Sequence, residues 1–296
     1  MFNEFRKSDN YSDSETQEHL FVENEIKKSK IFNEKDKTEE GQERMWDQLY
    51  EYLEIVENIK TNWPLYGQKE EDFEEIIKKE RTIPSTGRTE KEIVECYNLK
   101  VEEFEELLKN KKVLDFGCGE SGLSKELNNK EIDTDIISID IKKESLMKSE
   151  AKNSVQGSGD HLPFSDEKFD LILATYSLPY WASSEDTAEK SFNELLRVLK
   201  KDGMLYITPI TDIPNRPLVN NNLDLRNSLS IRECHGGVME ILNRIQTKFI
   251  HLLKELKIDD NYEIKLGKNY FQEMKYHTVD EINDGRPTIA YIRKMK

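Results

Sequence analysis

Cysteine is scarce: Cys96, Cys118 and Cys234 are the only three in 296 residues, and no two stand as Cys-x-x-Cys. That spacing indicates neither a disulfide framework nor a zinc site, and no metal is expected. Long apolar runs are also missing. The longest are a few residues, such as Leu171-Ile172-Leu173-Ala174, far short of the roughly twenty that cross a bilayer. The opening Met1-Phe2-Asn3-Glu4-Phe5-Arg6 has no apolar stretch after a basic one, unlike a secretory signal. Positive charge is in deficit, with 44 Lys and Arg against 59 Asp and Glu, a formal net charge of −15. Polyanions and anionic membranes recruit proteins through excess Lys and Arg, so nonspecific binding to either is disfavoured. A soluble, cytoplasmic protein is the expectation.

What remains suffices for a core, since 36% of the residues are apolar, and the length suits one large domain or a domain with an appendage. The charge is uneven. Residues 1–110 carry 17 basic and 29 acidic residues, whereas 111–296 carry 27 and 30. The first forty residues are polar, with little apolar mass to offset ordering entropy, and read as an acidic, disordered tail. Residues 41–110 read as a helical N-terminal cap. Met45, Trp46, Leu49, Tyr50, Leu53 and Val56 recur every three to four residues, as on one face of a helix. A charged helix is expected over Glu70 to Arg81 after the break at Trp63-Pro64. Thr89 and Glu92 form a capping-box start for a short helix over 89–98, followed by another over 101–109. Such a pair could read DNA, but Glu102, Glu103, Glu105 and Glu106 on the second helix would repel phosphates. A cap packed on the next domain is the reading preferred.

From Lys111 strands and helices alternate, the pattern of an α/β sheet with helices on both faces. Strands are read at 112–116, 135–140, 154–156, 169–175 and 203–208, with closing strands over 262–266 and 288–293. Helices are read at about 121–129, 143–152, 185–200 and 237–257. The connection around 209–236 has no obvious element, and loops of that length in compact domains often serve as lids.

The segment most informative about chemistry is Val113-Leu114-Asp115-Phe116-Gly117-Cys118-Gly119-Glu120-Ser121-Gly122, a strand running into a glycine turn that opens a helix. Glycines let a ligand approach the backbone at the strand ends, where α/β sheets bind cofactors. The next strand ends at Asp140, whose carboxylate can accept from ribose hydroxyls. A dinucleotide-dependent oxidoreductase and an S-adenosylmethionine-dependent methyltransferase both fit so far. Asp115 favours the second, because a carboxylate there suits a cationic amino-acid-bearing cofactor and would repel a pyrophosphate. The stretches Gly157-Ser158-Gly159-Asp160-His161-Leu162-Pro163-Phe164 and Phe169-Asp170-Leu171-Ile172-Leu173-Ala174 follow in order. With Phe192 to Leu205 added, they resemble the class I methyltransferases, most closely the type 11 branch, over roughly 111–210.

The resemblance implies a Rossmann-like sheet, S-adenosyl-L-methionine as cofactor and a methyl acceptor, read as a small molecule. Asp115, Phe116, Gly117, Cys118 and Gly119 would lie along the methionine part, Asp140 and Ile141 at the ribose, and Asp160 and His161 at the adenine, with Thr175 after the fourth strand near the departing methyl. One departure stands out: the family has its third glycine two places after Gly119, where this chain has Ser121. Methyl transfer needs mainly alignment and exclusion of water, so catalytic residues are less legible. His235 is the candidate general base, with a plain loop histidine as the alternative. Tyr176 and Tyr180 are candidate walls of the acceptor site, with core packing as theirs. Ser177-Leu178-Pro179-Tyr180 is similar to the turn of amino-methyltransferases acting on nucleic acids, which the charge balance disfavours. A methyltransferase-like binding module whose N-terminal helices recruit a protein partner is the further alternative.

Overall fold

The structure, a computed structural model, describes residues 38–62, 88–130, 132–149, 151–179, 182–211, 244–268 and 287–296. The expected tail up to residue 37, the charged helix over 70–81 and the lid residues 212–236 lie outside them, as do Tyr180 and His235.

The expected α/β architecture is present as a seven-stranded sheet ordered β3-β2-β1-β4-β5-β7-β6. Its strands are β1 (Lys112–Phe116), β2 (Asp135–Asp140), β3 (Ser154–Gln156), β4 (Phe169–Thr175), β5 (Leu199–Thr208), β6 (Tyr262–Gly267) and β7 (Ile289–Lys294). The first five pair in parallel; β7 runs antiparallel between β5 and β6. From β1 the chain steps outward to β2 and β3, then returns to place β4 on the other side. This reversal of strand order opens a crevice at the carboxyl ends of the central strands. Strand β4 reads almost continuously apolar because both faces are covered.

Side chains alternate across β4 and sort the helices. Ile172 and Ala174 join a core with α1 (Glu39–Asn62), α6 (Glu185–Val198) and α7 (244–257), where Phe192 meets Phe249 edge-on at 5.2 Å. Leu171 and Leu173 join a second core with α2 (Glu90–Cys96), α3 (Val101–Leu108) and α4 (Gly122–Asn129). The short α5 (Lys143–Lys148) lies beside β2 and β3. The helices read together as a cap over 41–110 therefore divide: α1 serves one face of the sheet and α2–α3 the other. Helix α1 buries Met45, Trp46, Leu49 and Leu53. The Gln42 amide at its start donates to the Leu266 carbonyl at 3.1 Å and accepts from the Leu266 amide at 2.8 Å. It thereby satisfies backbone groups on the outermost strand, which an open edge would leave free to pair with another chain.

Element boundaries differ from expectation in places. The helix expected over 143–152 stops at Lys148. Strand β5 begins at Leu199 rather than 203, because Leu199 pairs with Phe169 and Lys200 bonds Asp170 at the strand's start. Among the described residues no helix is long and apolar enough to cross a membrane.

Candidate functional site

A cleft opens at the carboxyl ends of β1, β2 and β4, and Phe116, Gly117, Asp140, Ile141, Tyr176 and Ser177 are among its lining. The turn after β1 creates its floor. Gly117 has φ +71°, and its amide donates to the Ile139 carbonyl at 2.9 Å. A Cβ on Gly117 would stand 2.5 Å from the Ser177 Cβ, so the turn and the segment after β4 pass too close for any side chain.

Ser121, at the position of the expected third glycine, adopts φ 57° as it enters α4. This left-handed backbone is one that glycine adopts freely, whereas it costs an L-residue roughly 1–2 kcal/mol. The buried Ser121 hydroxyl donates to the Cys118 sulfur at 3.2 Å. Ser121→Gly is accordingly expected to keep ligand affinity within about twofold and to hold or raise the melting temperature, because relief of backbone strain offsets one weak contact. A clear fall in melting temperature would mean that the Ser121–Cys118 contact outweighs the strain.

Asp140 ends β2 nearly buried, with one carboxylate oxygen accepting from the Gly119 amide at 2.9 Å and the other from the Lys142 amide at 2.8 Å. These bonds fix its orientation and leave a lone pair on each oxygen for a ligand. Asp115 lies on the Val113 side of β1, buried, with no hydrogen bond to its carboxylate among the described residues. Burial raises its pKa to about 7; the Arg88 guanidinium pulls the other way and Asp140 adds to the rise. The Cys118 thiol, pushed well above its ordinary range by burial and by Asp115, is a packing group.

Beyond β4 the chain turns sharply at Tyr176, φ 50°. The Thr175 hydroxyl pairs with the Tyr97 hydroxyl at 2.8 Å, and Tyr97 donates onward to the Tyr206 carbonyl at 3.1 Å, so the Thr175 side chain is engaged by α2. The Ser177 hydroxyl is buried, has no hydrogen-bond partner among the described residues and belongs to a residue lining the cleft. On the far side, Gly157, Ser158 and Gly159 line the cleft, while Asp160 and His161 follow as exposed residues outside its lining. Glu194 and Arg197 of α6 hold that loop: Glu194 accepts from the Leu162 amide at 2.7 Å, and Arg197 donates to the Leu162 and Phe164 carbonyls.

The structure thus brings Phe116, Gly117, Asp140, Ile141 and Tyr176 together on one cleft, while Asp115, Cys118, Gly119 and Thr175 are not among its lining. Sequence reasoning did not single out Arg88, which lines the cleft from the segment before α2; its only local mark is the neighbouring capping box. Among the described residues no group of three or more His, Cys, Asp or Glu could hold a metal.

Residues 114–207 match a family described as a methyltransferase domain. No curated protein matches the sequence significantly. Similar solved structures include a candidate S-adenosyl-L-methionine-dependent methyltransferase of Methanococcus maripaludis, 19% identical, covering 79% of this chain and 96% of that one with a TM-score of 0.43. The plantazolicin methyltransferase BpumL, solved with S-adenosylhomocysteine (SAH) and a pentazolic desmethylplantazolicin analogue, is 15% identical and covers 86% and 100%, with a TM-score of 0.44. A phosphoethanolamine N-methyltransferase of Haemonchus contortus, solved with phosphoethanolamine and SAH, is 18% identical and covers 51% and 34%, with a TM-score of 0.37.

Proposed function

We propose, from the match of residues 114–207 to a methyltransferase-domain family, that this protein is a class I methyltransferase that transfers a methyl group to a small-molecule acceptor. Its cofactor is S-adenosyl-L-methionine. The observation that carries the reading is the coincidence of the matched segment with the cleft: Gly117, Asp140, Gly157 and Ser177 all lie within 114–207 and line it. The cleft has what such a cofactor needs, namely a turn without side chains at Gly117 and a fixed carboxylate at Asp140, and the buried carboxylate of Asp115 stands next to the lining residue Phe116 in the chain.

Asp140 accepts from the ribose hydroxyls, with Ile141 beside it. Asp115 faces the ammonium end, and the backbone from Phe116 to Gly119 packs along the methionine part. Asp160 and His161 are assigned to the adenine and Thr175 to the methyl end. The cofactor supplies an electrophilic methyl on a sulfonium. The chain's contribution is to hold the nucleophile in line with it and keep water out. Tyr176 walls the acceptor side, and the free hydroxyl of Ser177 can bond the acceptor. Tyr180 as a second wall and His235 as a general base complete the assignment, His235 acting where the acceptor starts protonated. The acidic residues of the first 110 positions disfavour a polyanionic acceptor, and the N-terminal extension is a candidate surface for a protein partner.

Calorimetry on the full chain tests the reading. S-adenosylmethionine and SAH are expected to bind with micromolar affinity, and reduced nicotinamide cofactor is not expected to bind. Silence with both sulfur ligands would sink the proposal, and tight nicotinamide binding would replace it with an oxidoreductase.

A further inference from the structure

A second cavity lies on the face of the sheet covered by α4, and none of its lining residues lines the cleft. Helix α5 ends at Lys148 rather than 152, and the Ser149 hydroxyl accepts from the Ala151 amide at 3.0 Å as the chain heads back to β3. With Lys152 and Asn153 out of the helix, these two residues, α4 and the segment entering β2 enclose an open cavity of about 480 Å³, inside the range of small-molecule sites, about 300–1,000 Å³. Leu127, Ile132 and Ile136 form its apolar part.

Its polar groups are unmet. The hydroxyl of the lining residue Ser124 is buried and has no hydrogen-bond partner among the described residues. The side chains of Asn128, Asp133, Lys152 and Asn153 have none there either. Asp133 and Lys152 therefore line one cavity with opposite charges and do not pair with each other. The backbone that carries them is held: the Asn110 amide donates to the Asp133 carbonyl at 2.7 Å, and the Ser138 amide donates to the Asn153 carbonyl at 2.9 Å. Little loop freedom is left to lose on binding. A simple anion here would meet Asp133 and a simple cation would meet Lys152. A zwitterion satisfies both with charged hydrogen bonds, and an apolar group on it would cover Leu127, Ile132 and Ile136.

We infer that this cavity binds a free α-amino acid with an apolar side chain, its carboxylate at Lys152, its ammonium at Asp133 and its side chain over Leu127, Ile132 and Ile136. Ser124 and Asn128 of α4 supply further hydrogen bonds. The site is separate from the proposed cofactor cleft and does not depend on that reading.

Saturation-transfer NMR and calorimetry on the full chain test it, with saturating SAH present so that the cleft cannot supply the signal. L-Leucine and L-methionine are expected to bind with dissociation constants of about 1 mM, and glycine about tenfold more weakly. L-Leucinol, which lacks the carboxylate, and 4-methylpentanoate, which lacks the ammonium, should each bind about threefold to tenfold more weakly than leucine. Lys152→Gln should erase the advantage of leucine over leucinol, and Asp133→Asn its advantage over 4-methylpentanoate. Both variants should melt within about 2 °C of wild type, since neither side chain has a partner to lose. Ser124→Ala should weaken leucine about threefold without lowering the melting temperature. No signal from either amino acid overturns the inference. So does leucine binding that SAH abolishes, or a ranking of the four leucine-related and glycine ligands that Lys152→Gln and Asp133→Asn leave unchanged. If SAH itself does not bind, the proposed function fails on its own, and the same titrations without it still decide this site through the two variants.

Discussion

Asp140→Ala is expected to weaken SAH by about two to four powers of ten, the largest effect of any single substitution considered. A carboxylate accepting from two ribose hydroxyls forms charged hydrogen bonds worth about 1.5–3 kcal/mol each, and tenfold in affinity corresponds to about 1.4 kcal/mol. The same substitution removes the acceptor for the Gly119 and Lys142 amides, so the glycine turn loses its anchor along with the ligand. The control is Asp166→Ala. Asp166 is exposed and pairs with Arg197 at 2.7 Å, while Arg197 keeps its bonds to Glu194, Leu162 and Phe164 without it. Isothermal titration of both variants should therefore show a steep loss for Asp140→Ala and no change beyond about twofold for Asp166→Ala. Similar affinities in the two would refute the ribose assignment.

Asp115→Asn should separate stability from binding. The Asp115 carboxyl titrates near pH 7 in the folded protein, against about 3.8 when exposed. Its folded pKa is raised, so between about pH 4 and 7 the folded state holds the proton that the unfolded chain has released. Stability from this group is complete below pH 4, falls as pH rises through that window and is flat above it. Burial is the chief cause, Arg88 counteracts it, and Asp140, Tyr97 and Cys118 are the other titratable groups coupled to it. The neutral amide removes the cost of ionisation at pH 8. After allowance for an unbonded buried amide, Asp115→Asn is expected to raise stability there by about 1–3 kcal/mol, with little effect near pH 4.

Binding should move the other way. An ammonium group requires the ionised carboxylate, so wild-type affinity for SAH is expected to climb up to tenfold per pH unit below about pH 7 and to level off above it. Asp115→Asn should bind more weakly and show no such slope. Melting curves at two pH values and titrations between them check both halves. A variant less stable than wild type at pH 8, or one that keeps the wild-type slope, would show that another group carries the titration.

Strand β4 and the turn from Val113 to Gly119 were readable because their information is local. A near-continuous apolar run fits only a strand covered on both faces, and glycines at Gly117 and Gly119, followed by a carboxylate at the next strand's end, mark a ligand-facing turn wherever it folds. Helix ends were less readable. The helix expected over 143–152 ends at Lys148, and β5 starts at Leu199 inside a stretch first read as helix, because β-pairing with Phe169 decides that boundary. Ser121 shows a milder case: its residue type departs from the family pattern, yet its backbone adopts the conformation that the pattern's glycine serves.

The sequence by itself determined the strand-helix alternation, the glycine turn with Asp140 beyond it and the resemblance to class I methyltransferases, since each is written in contiguous residues whose chemistry acts over one or two turns of chain. Tertiary structure alone decided that α1 and α2–α3 cover opposite faces of the sheet, that Arg88 reaches a cleft whose other lining residues run from Phe116 to Ser191, and that Asp115 titrates near neutrality. These depend on which groups meet across the fold and how much water they lose when they meet. Burial and charge coupling arise only once distant segments have packed, so no local pattern of residues could have recorded them.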